Sequence, residues 1–152
     1  MAEPKTLILK MEYKTLKSSM EDLEEIVELN RTIFEGMYES EPYSLSKYKS
    51  RLQAKNPEIY ITKDDGKIIA NSISFQEANS LYLWILGVSP NHRNKKIASK
   101  LLDHLEQSAR SQGLTSVTTK VYPVSKKMQQ LLKQRNYVIT KTDEAIHFEL
   151  KL

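Results

Sequence analysis

Residues 81–113 read LYLWILGVSPNHRNKKIASKLLDHLEQSARSQG, and they decide the fold. Leu81 to Val88 is an almost unbroken apolar run, the pattern of a central strand covered on both faces. Ile97, Ala98, Leu101, Leu102, Leu105 and Ala109 recur at helical spacing, and Gly113 stands where a C-terminal cap belongs. A buried strand therefore runs almost directly into the start of a long helix. Such a start presents several backbone N–H groups without intrahelical partners and the positive end of the helix dipole. Arg93, Lys95 and Lys96 surround it. A charge-assisted hydrogen bond to an anion contributes roughly 1.5–3 kcal/mol and the dipole about 0.3–1 kcal/mol, so three or four donors suffice for a diphosphate without a metal ion. A basic, water-capped helix start would carry the same residues.

Outward from this segment the elements follow in order. SVTTKVY (116–122) is a strand, which makes residues 81–122 a right-handed parallel crossover. SKKMQQLLKQRN (125–136) is a short helix, and YVITK (137–141) and AIHFELK (145–151) form a terminal antiparallel pair. Upstream, EIYIT (58–62) and KIIANSISF (67–75) flank Asp64-Asp65-Gly66, a strong hairpin signal. A shorter helix is expected near 46–54, ending before Pro57. Ser18 and Ser19 offer N-caps to an acidic helix with Met20, Leu23, Ile26, Val27, Ile33 and Phe34 on its apolar side. TLILKMEY (6–13) alternates and reads as the first strand. The expected order is β-α-α-β-β-β-α-β-α-β-β, an α/β (α+β) chain with a mixed, mostly antiparallel sheet.

Composition narrows the chemistry. The 152 residues are 39% hydrophobic and 28% charged, with no linker, repeat or long apolar tract, so one domain over 1–152 is expected. Neither a signal peptide nor a membrane span is readable, and the expected location is the cytoplasm. The absence of cysteine removes disulfides, thiolate metal sites and cysteinyl intermediates. The four glycines (Gly36, Gly66, Gly87, Gly113) are too far apart for a dinucleotide fingerprint or a phosphate-binding glycine loop. His92, His104 and His147 lack ligand spacing, so no metal is expected. Residues 1–90 carry 11 Lys/Arg against 14 Asp/Glu, whereas 91–152 carry 12 against 5. A cationic half of this kind suits a phosphate-bearing cofactor, a nucleic acid or plain solvation.

The stretch LGVSPNHRNKKIASKLLDHLEQSARSQGL, with the order of elements, resembles the GCN5-related N-acetyltransferase superfamily. Its cofactor motif, R/Q-x-x-G-x-G/A after a strand ending V-x-P, is matched by Arg93, Lys96 and Ala98 in the first, fourth and sixth positions. MQQLLKQRNY is similar to the second motif, A-x-x-L-Y-x-x-x-G-F, with Met128, Leu131, Leu132, Asn136 and Tyr137 in register. The resemblance implies that the pyrophosphate of acetyl-CoA lies beside Arg93 on the amides of Asn94, Lys95, Lys96, Ile97, Ala98 and Ser99. It implies that the pantetheine arm pairs with the backbone of Leu86 and Val88, which needs the neighbouring strands to splay, with Gly87 the expected point of distortion. Ser125 stands where relatives often carry a cofactor-contacting asparagine, although an ordinary N-cap is the favoured reading. Three residues depart from the pattern. Lys96 replaces a glycine, and in a first helical turn it should hold φ < 0 without strain. Leu132 replaces a tyrosine that in many relatives protonates the leaving thiolate. Lys120 stands where relatives acting on protein N-termini place a glutamate.

Without cysteine, acyl transfer must be direct: a neutral amine attacks the thioester while the N–H of Leu86 or Val88 stabilises the oxyanion. At pH 7 an α-amino group is roughly 10–15% neutral and a lysine about 0.04%, a gap for a base to close. The central strand has no Asp, Glu or His. Tyr82 is the candidate there, acting through water, and Tyr122 is the candidate acid for the thiolate. His92 is expected to be solvated, His104 to lie on the polar side of its helix, and His147 to face away from Ile146 and Phe148 toward the acceptor cleft. Glu35, Glu39 and Glu41 fall where an acceptor wall often lies. The expected function is acetyl-CoA-dependent N-acetylation of a primary amine on a small molecule or peptide. The alternative is a catalytically impaired acyl-CoA-binding regulatory module. A nucleic-acid-binding domain ranks last, because Tyr122 is the only aromatic between 91 and 136. A membrane partner is not expected, and a homodimer is left open.

Overall fold

The computed structural model describes residues 13–37 and 42–152. The strand expected at 6–13 lies outside these, apart from Tyr13. The first described strand is β1 (Thr15–Ser18), an edge strand with no alternating pattern. A 3-10 turn (Met20–Asp22) follows, its start capped by the Ser19 side chain on the Glu21 amide. It leads into α1 (Leu23–Phe34) and α2 (Leu45–Leu52). Then come β2 (Glu58–Asp64), β3 (Lys67–Glu77), β4 (Ser80–Val88) and α3 (Ile97–Ser111). The chain ends with β5 (Ser116–Val121), α4 (Lys126–Gln134), β6 (Val138–Thr142) and β7 (Ile146–Lys151).

These seven strands form one sheet in the order β1-β2-β3-β4-β5-β7-β6. Only β4 and β5 run parallel, joined over α3; the other pairs are antiparallel. The Asp64-Asp65-Gly66 signal becomes a tight turn with both Asp65 and Gly66 at positive φ, as a two-residue hairpin requires. Gly113, at φ +74, ends α3, with the Leu114 amide returning to the Ala109 carbonyl at 3.0 Å.

Helices cover both faces of the sheet. On one face α3 and α4 bury Leu101, Leu102, Leu105 and Leu132 against Leu81, Leu83, Val117 and Phe148. On the other, α1 and α2 bury Leu23, Ile26, Tyr48 and Leu52 against Ile59, Ile73 and Phe75. Asn30 of α1 and Asn71 of β3 exchange side-chain hydrogen bonds of 3.2 and 2.7 Å in this second core, which fixes α1 on the sheet without an unpaired amide. No helix among the described residues is long and apolar enough to cross a membrane.

Candidate active site

The parallel pair β4–β5 is in register only from Ser80↔Ser116 to Leu83↔Thr119. There the Thr119 hydroxyl donates to the Leu83 carbonyl at 2.9 Å, and beyond it the strands part. The cause lies in β4. Leu83 pairs with Ser74 of β3 and Ile85 with Ile73, so Trp84 is an extra residue, a β-bulge. The bulge also reverses the alternation. Leu81, Leu83, Leu86 and Val88 pack toward α3, whereas Tyr82, Trp84 and Ile85 pack toward α1 and α2. The distortion expected at Gly87 is thus three residues earlier. Gly87 serves a different purpose: a Cβ there would meet Ile33 Cδ1 at 3.1 Å and Asn30 Oδ1 and Phe34 Cζ at 3.3 Å, so its bareness lets α1 press against β4.

Register also sets the direction of the backbone groups. The Ser89 amide donates to the Ile69 carbonyl at 2.8 Å, and hydrogen-bonded positions alternate along an antiparallel ladder. Ile85 and Gly87 therefore bond toward β3, and the amides of Leu86 and Val88 turn to the opposite edge, where β4 has left β5. The Val88 carbonyl on that edge accepts from Arg93 Nε at 3.3 Å.

From Val88 the chain passes through a 3-10 turn (Pro90–His92) into α3. The first donor of the helical ladder is the Lys100 amide, bonded to the Lys96 carbonyl at 3.2 Å. The amides of Ile97, Ala98 and Ser99 precede it, and no side chain caps them among the described residues. Arg93, Asn94, Lys95 and Lys96 are exposed around this opening. Lys96 is the N-cap at φ +60, ψ 21, not the φ < 0 expected of a first-turn residue; the chain needs left-handed residues at both Asn94 (φ +64) and Lys96 to swing from the turn into α3. The position matching the motif's first glycine thus keeps the left-handed backbone that suits glycine, with lysine strained into it. In the second motif, Asn136 takes φ +71 at the glycine position, which asparagine tolerates.

His92 is not solvated. Its side chain is 20% exposed, Nε2 meets Asp64 Oδ2 at 3.0 Å, and its ring stands edge-on to Tyr13 at 5.8 Å. It fastens the turn before α3 to the β2–β3 hairpin. Ser125 occupies the N-cap position of α4, but its side chain makes no capping bond, contrary to the capping role expected for it. Leu132, in the tyrosine position, is fully buried in the core under α3.

The opposite face carries a second feature. A cavity of about 160 Å³ is lined by Glu77, Tyr82, Lys120, His147, Glu149 and neighbouring threonines. Tyr82 is 8% exposed, and burial above all holds its phenol above the ordinary range; Glu77, Tyr122 and Tyr43 act in the same direction and Arg51 against it. Lys120 lies with Nζ 5.9 Å from the Tyr82 ring centre. Tyr122, just past β5, is 50% exposed. His147 reaches this cavity, as its alternation predicts, and His104 is exposed on α3 with its ring against Tyr60 at 5.5 Å. Of the three glutamates, Glu35 is exposed at the end of α1, and Glu39 and Glu41 lie outside the described residues.

Sequence reasoning missed one buried network. Glu106 on α3 accepts from Tyr137 OH at 2.7 Å and from Arg135 at 2.8 and 3.3 Å, and Arg135 also reaches Asp103. Burial tends to lower the Arg135 pKa, but these carboxylates raise it overall; the Tyr137 phenol is raised by burial and by its bond to Glu106. Glu106 sits four residues after Leu102 on the apolar stripe, and that position was the available signal. The network locks the second motif to α3.

Fold and site together define a protein of the acetyltransferase class. The chain belongs to the acetyltransferase (GNAT) family, whose family model matches residues 23–137. Its fold is similar to the PaiA N-acetyltransferase from Thermoplasma acidophilum, solved in complex with coenzyme A (22% identity, TM-score 0.77, 93% of this chain and 100% of that one). It is similar also to the ribosomal-protein-S18-alanine N-acetyltransferase from Escherichia coli (16%, 0.78, 92% and 94%) and to a GNAT-family acetyltransferase from Staphylococcus aureus Mu50 (13%, 0.80, 93% and 99%). No curated protein matches the chain.

Proposed function

We propose that the chain is a single acetyltransferase domain that moves an acetyl group from acetyl-CoA directly to a primary amine of a small molecule or peptide. The observation that carries this is the juxtaposition of parted strands with an uncapped, basic helix start. The amides of Ile97, Ala98 and Ser99, with Arg93, Asn94, Lys95 and Lys96, fit a pyrophosphate. The outward amides of Leu86 and Val88 fit a pantetheine arm lying as an extra strand, and the one nearer the thioester serves the oxyanion. Ser125, free of a capping bond, is available to the same arm.

Acetyl-CoA supplies an activated thioester; the chain supplies position. Tyr82 stays a neutral phenol at pH 7, so it orders water and donates a hydrogen bond and does not itself abstract a proton. Tyr122 is the candidate donor to the departing thiolate. The test is calorimetric titration with acetyl-CoA, followed by thiol release over amines of graded pKa. Binding plus amine-dependent release supports the proposal, and absence of binding refutes it.

Buried Leu132 favours one second reading, an acyl-CoA-binding module without transfer, because no acid side chain stands at that point. Acetyl-CoA binding with no thiol release across the panel would establish it.

A further inference from the structure

The acetyl-transfer reading leaves one role open, removal of the acceptor's proton. β4 carries no carboxylate or imidazole, and Tyr82 is held protonated. The cavity beside Tyr82 narrows the candidates. Lys120 places its Nζ 5.9 Å from the Tyr82 ring centre, and Glu77 and Glu149 line the same wall. The remaining titratable group is an imidazole, the side chain whose charge changes between about pH 5 and 8.

His147 stands on β7 directly across from Lys120 of β5. Its Nε2 lies 3.0 and 3.1 Å from the two oxygens of Asp143, in the β6–β7 turn. Asp143 is itself fixed by the Ala145 amide at 3.0 Å and by Lys141 Nζ at 3.3 Å. These bonds, the Ala145 amide first, hold its carboxyl below the usual range, so it remains an anion. A carboxylate only accepts, so the bonded Nε2 carries the hydrogen and Nδ1 keeps its lone pair. This is a base oriented by a carboxylate, with the base in the wall of a cavity that includes Tyr82.

We propose that His147, oriented by Asp143, takes the proton from the acceptor ammonium, directly or through one water. This rests on the acetyl-transfer reading. The ammonium gives one proton to Nδ1. The amine lone pair forms the N–C bond at the thioester carbonyl carbon, and the C–S bond breaks. The nitrogen's second proton reaches the thiolate through Tyr122 or water. The imidazolium, stabilised beside Asp143, then loses its proton to solvent, so each amide formed releases one thiol and one proton. His147 is the catalytic residue here and Asp143 the positioning residue.

The test compares wild type, His147→Gln and Asp143→Asn, with acetyl-CoA and four probe amines: phenethylamine, spermidine, a tripeptide with a free N-terminus and N-acetyl-lysine amide. Thiol release is followed from about pH 5.5 to 9.5. The groups facing the imidazole are Asp143, Lys141, Lys120, Glu77, Glu149 and Tyr82, and none is altered in His147→Gln. That variant should lose about 10²-fold in kcat at pH 7, keep the KM for acetyl-CoA, and lose the rising limb of the profile. The deficit should shrink at high pH, where the amine deprotonates unaided. Asp143→Asn should lose about tenfold in kcat, and imidazole ¹⁵N shifts should show that Nε2 no longer dominates as the protonated site. A His147→Gln variant within about threefold of wild type that keeps the limb overturns the dyad while transfer stands. Wild type that binds acetyl-CoA but releases no thiol with any probe overturns transfer, and the dyad with it.

Discussion

Replacing Lys96 separates a first-turn residue, as helical periodicity counts it, from the left-handed cap of α3. If Lys96 were an ordinary first-turn residue, glycine there would be less stable than alanine by about 1 kcal/mol. At φ +60 the sign reverses. A side chain held in the left-handed region costs roughly 1–2 kcal/mol, and glycine escapes that while paying about 0.5–1 kcal/mol in unfolded-chain entropy. Lys96→Gly should therefore be more stable than Lys96→Ala by about 0.5–1 kcal/mol, or about 1–4 °C in Tm for a chain of this size. Both variants lose the same charge, so acetyl-CoA affinity measured side by side isolates the Cβ. The alanine variant should bind several-fold more weakly than wild type at low salt, with the gap closing as salt rises. The glycine variant should recover part of that loss, because a diphosphate can approach a bare backbone more closely. Scanning calorimetry and titration calorimetry read the two effects. An alanine variant more stable than the glycine variant would refute the left-handed cap.

Three further outcomes follow from the packing. Gly87→Ala should cost about 1–3 kcal/mol in denaturant unfolding, since its methyl would press on Ile33, Phe34 and the Asn30–Asn71 pair. Glu106→Ala should cost about 3 kcal/mol or more, because the buried Tyr137 hydroxyl loses its acceptor and Arg135 keeps only Asp103; Glu106→Gln should cost less, and thermal melts distinguish them. Asp143 has its folded pKa depressed, so its stabilising effect is present above the unfolded value of about 3.9 and is lost as pH falls below it. Asp143→Asn should flatten that part of the acid limb, and an unchanged slope in acid unfolding would contradict the bonds drawn to Ala145 and His147.

How much of this was legible in the sequence depends on the range of the forces involved. The β4–α3–β5 crossover could be read because burial imposes its period locally: Leu81 and Leu83 of the apolar run pack into the core under α3, and Ile97, Leu101, Leu102, Leu105 and Ala109 line one side of a helix. The Asp64-Asp65-Gly66 turn and the Gly113 cap were equally local, each written in residues that accept positive φ. The parting of the strands was expected, but its origin at Trp84 was not. A bulge depends on how β3 and β4 settle their register, which no single segment encodes. The same limit explains Lys96. Helical periodicity counts it into the first turn, whereas the path from Pro90–His92 into α3 forces it outside. Alternation along β7 placed His147 at the cavity, but only tertiary contact shows that Asp143 holds it there and that His92 is fastened by Asp64 beside Tyr13.

In the proposed function the edge of β4 and the first turn of α3 together receive acetyl-CoA. Amide ¹H–¹⁵N spectra recorded during titration with acetyl-CoA test it most directly. The amides of Leu86, Val88, Ile97, Ala98 and Ser99 should shift together and saturate at one concentration. Saturating acetyl-CoA that leaves these five amides in place, or shifts only residues on the far side of the sheet, would contradict it.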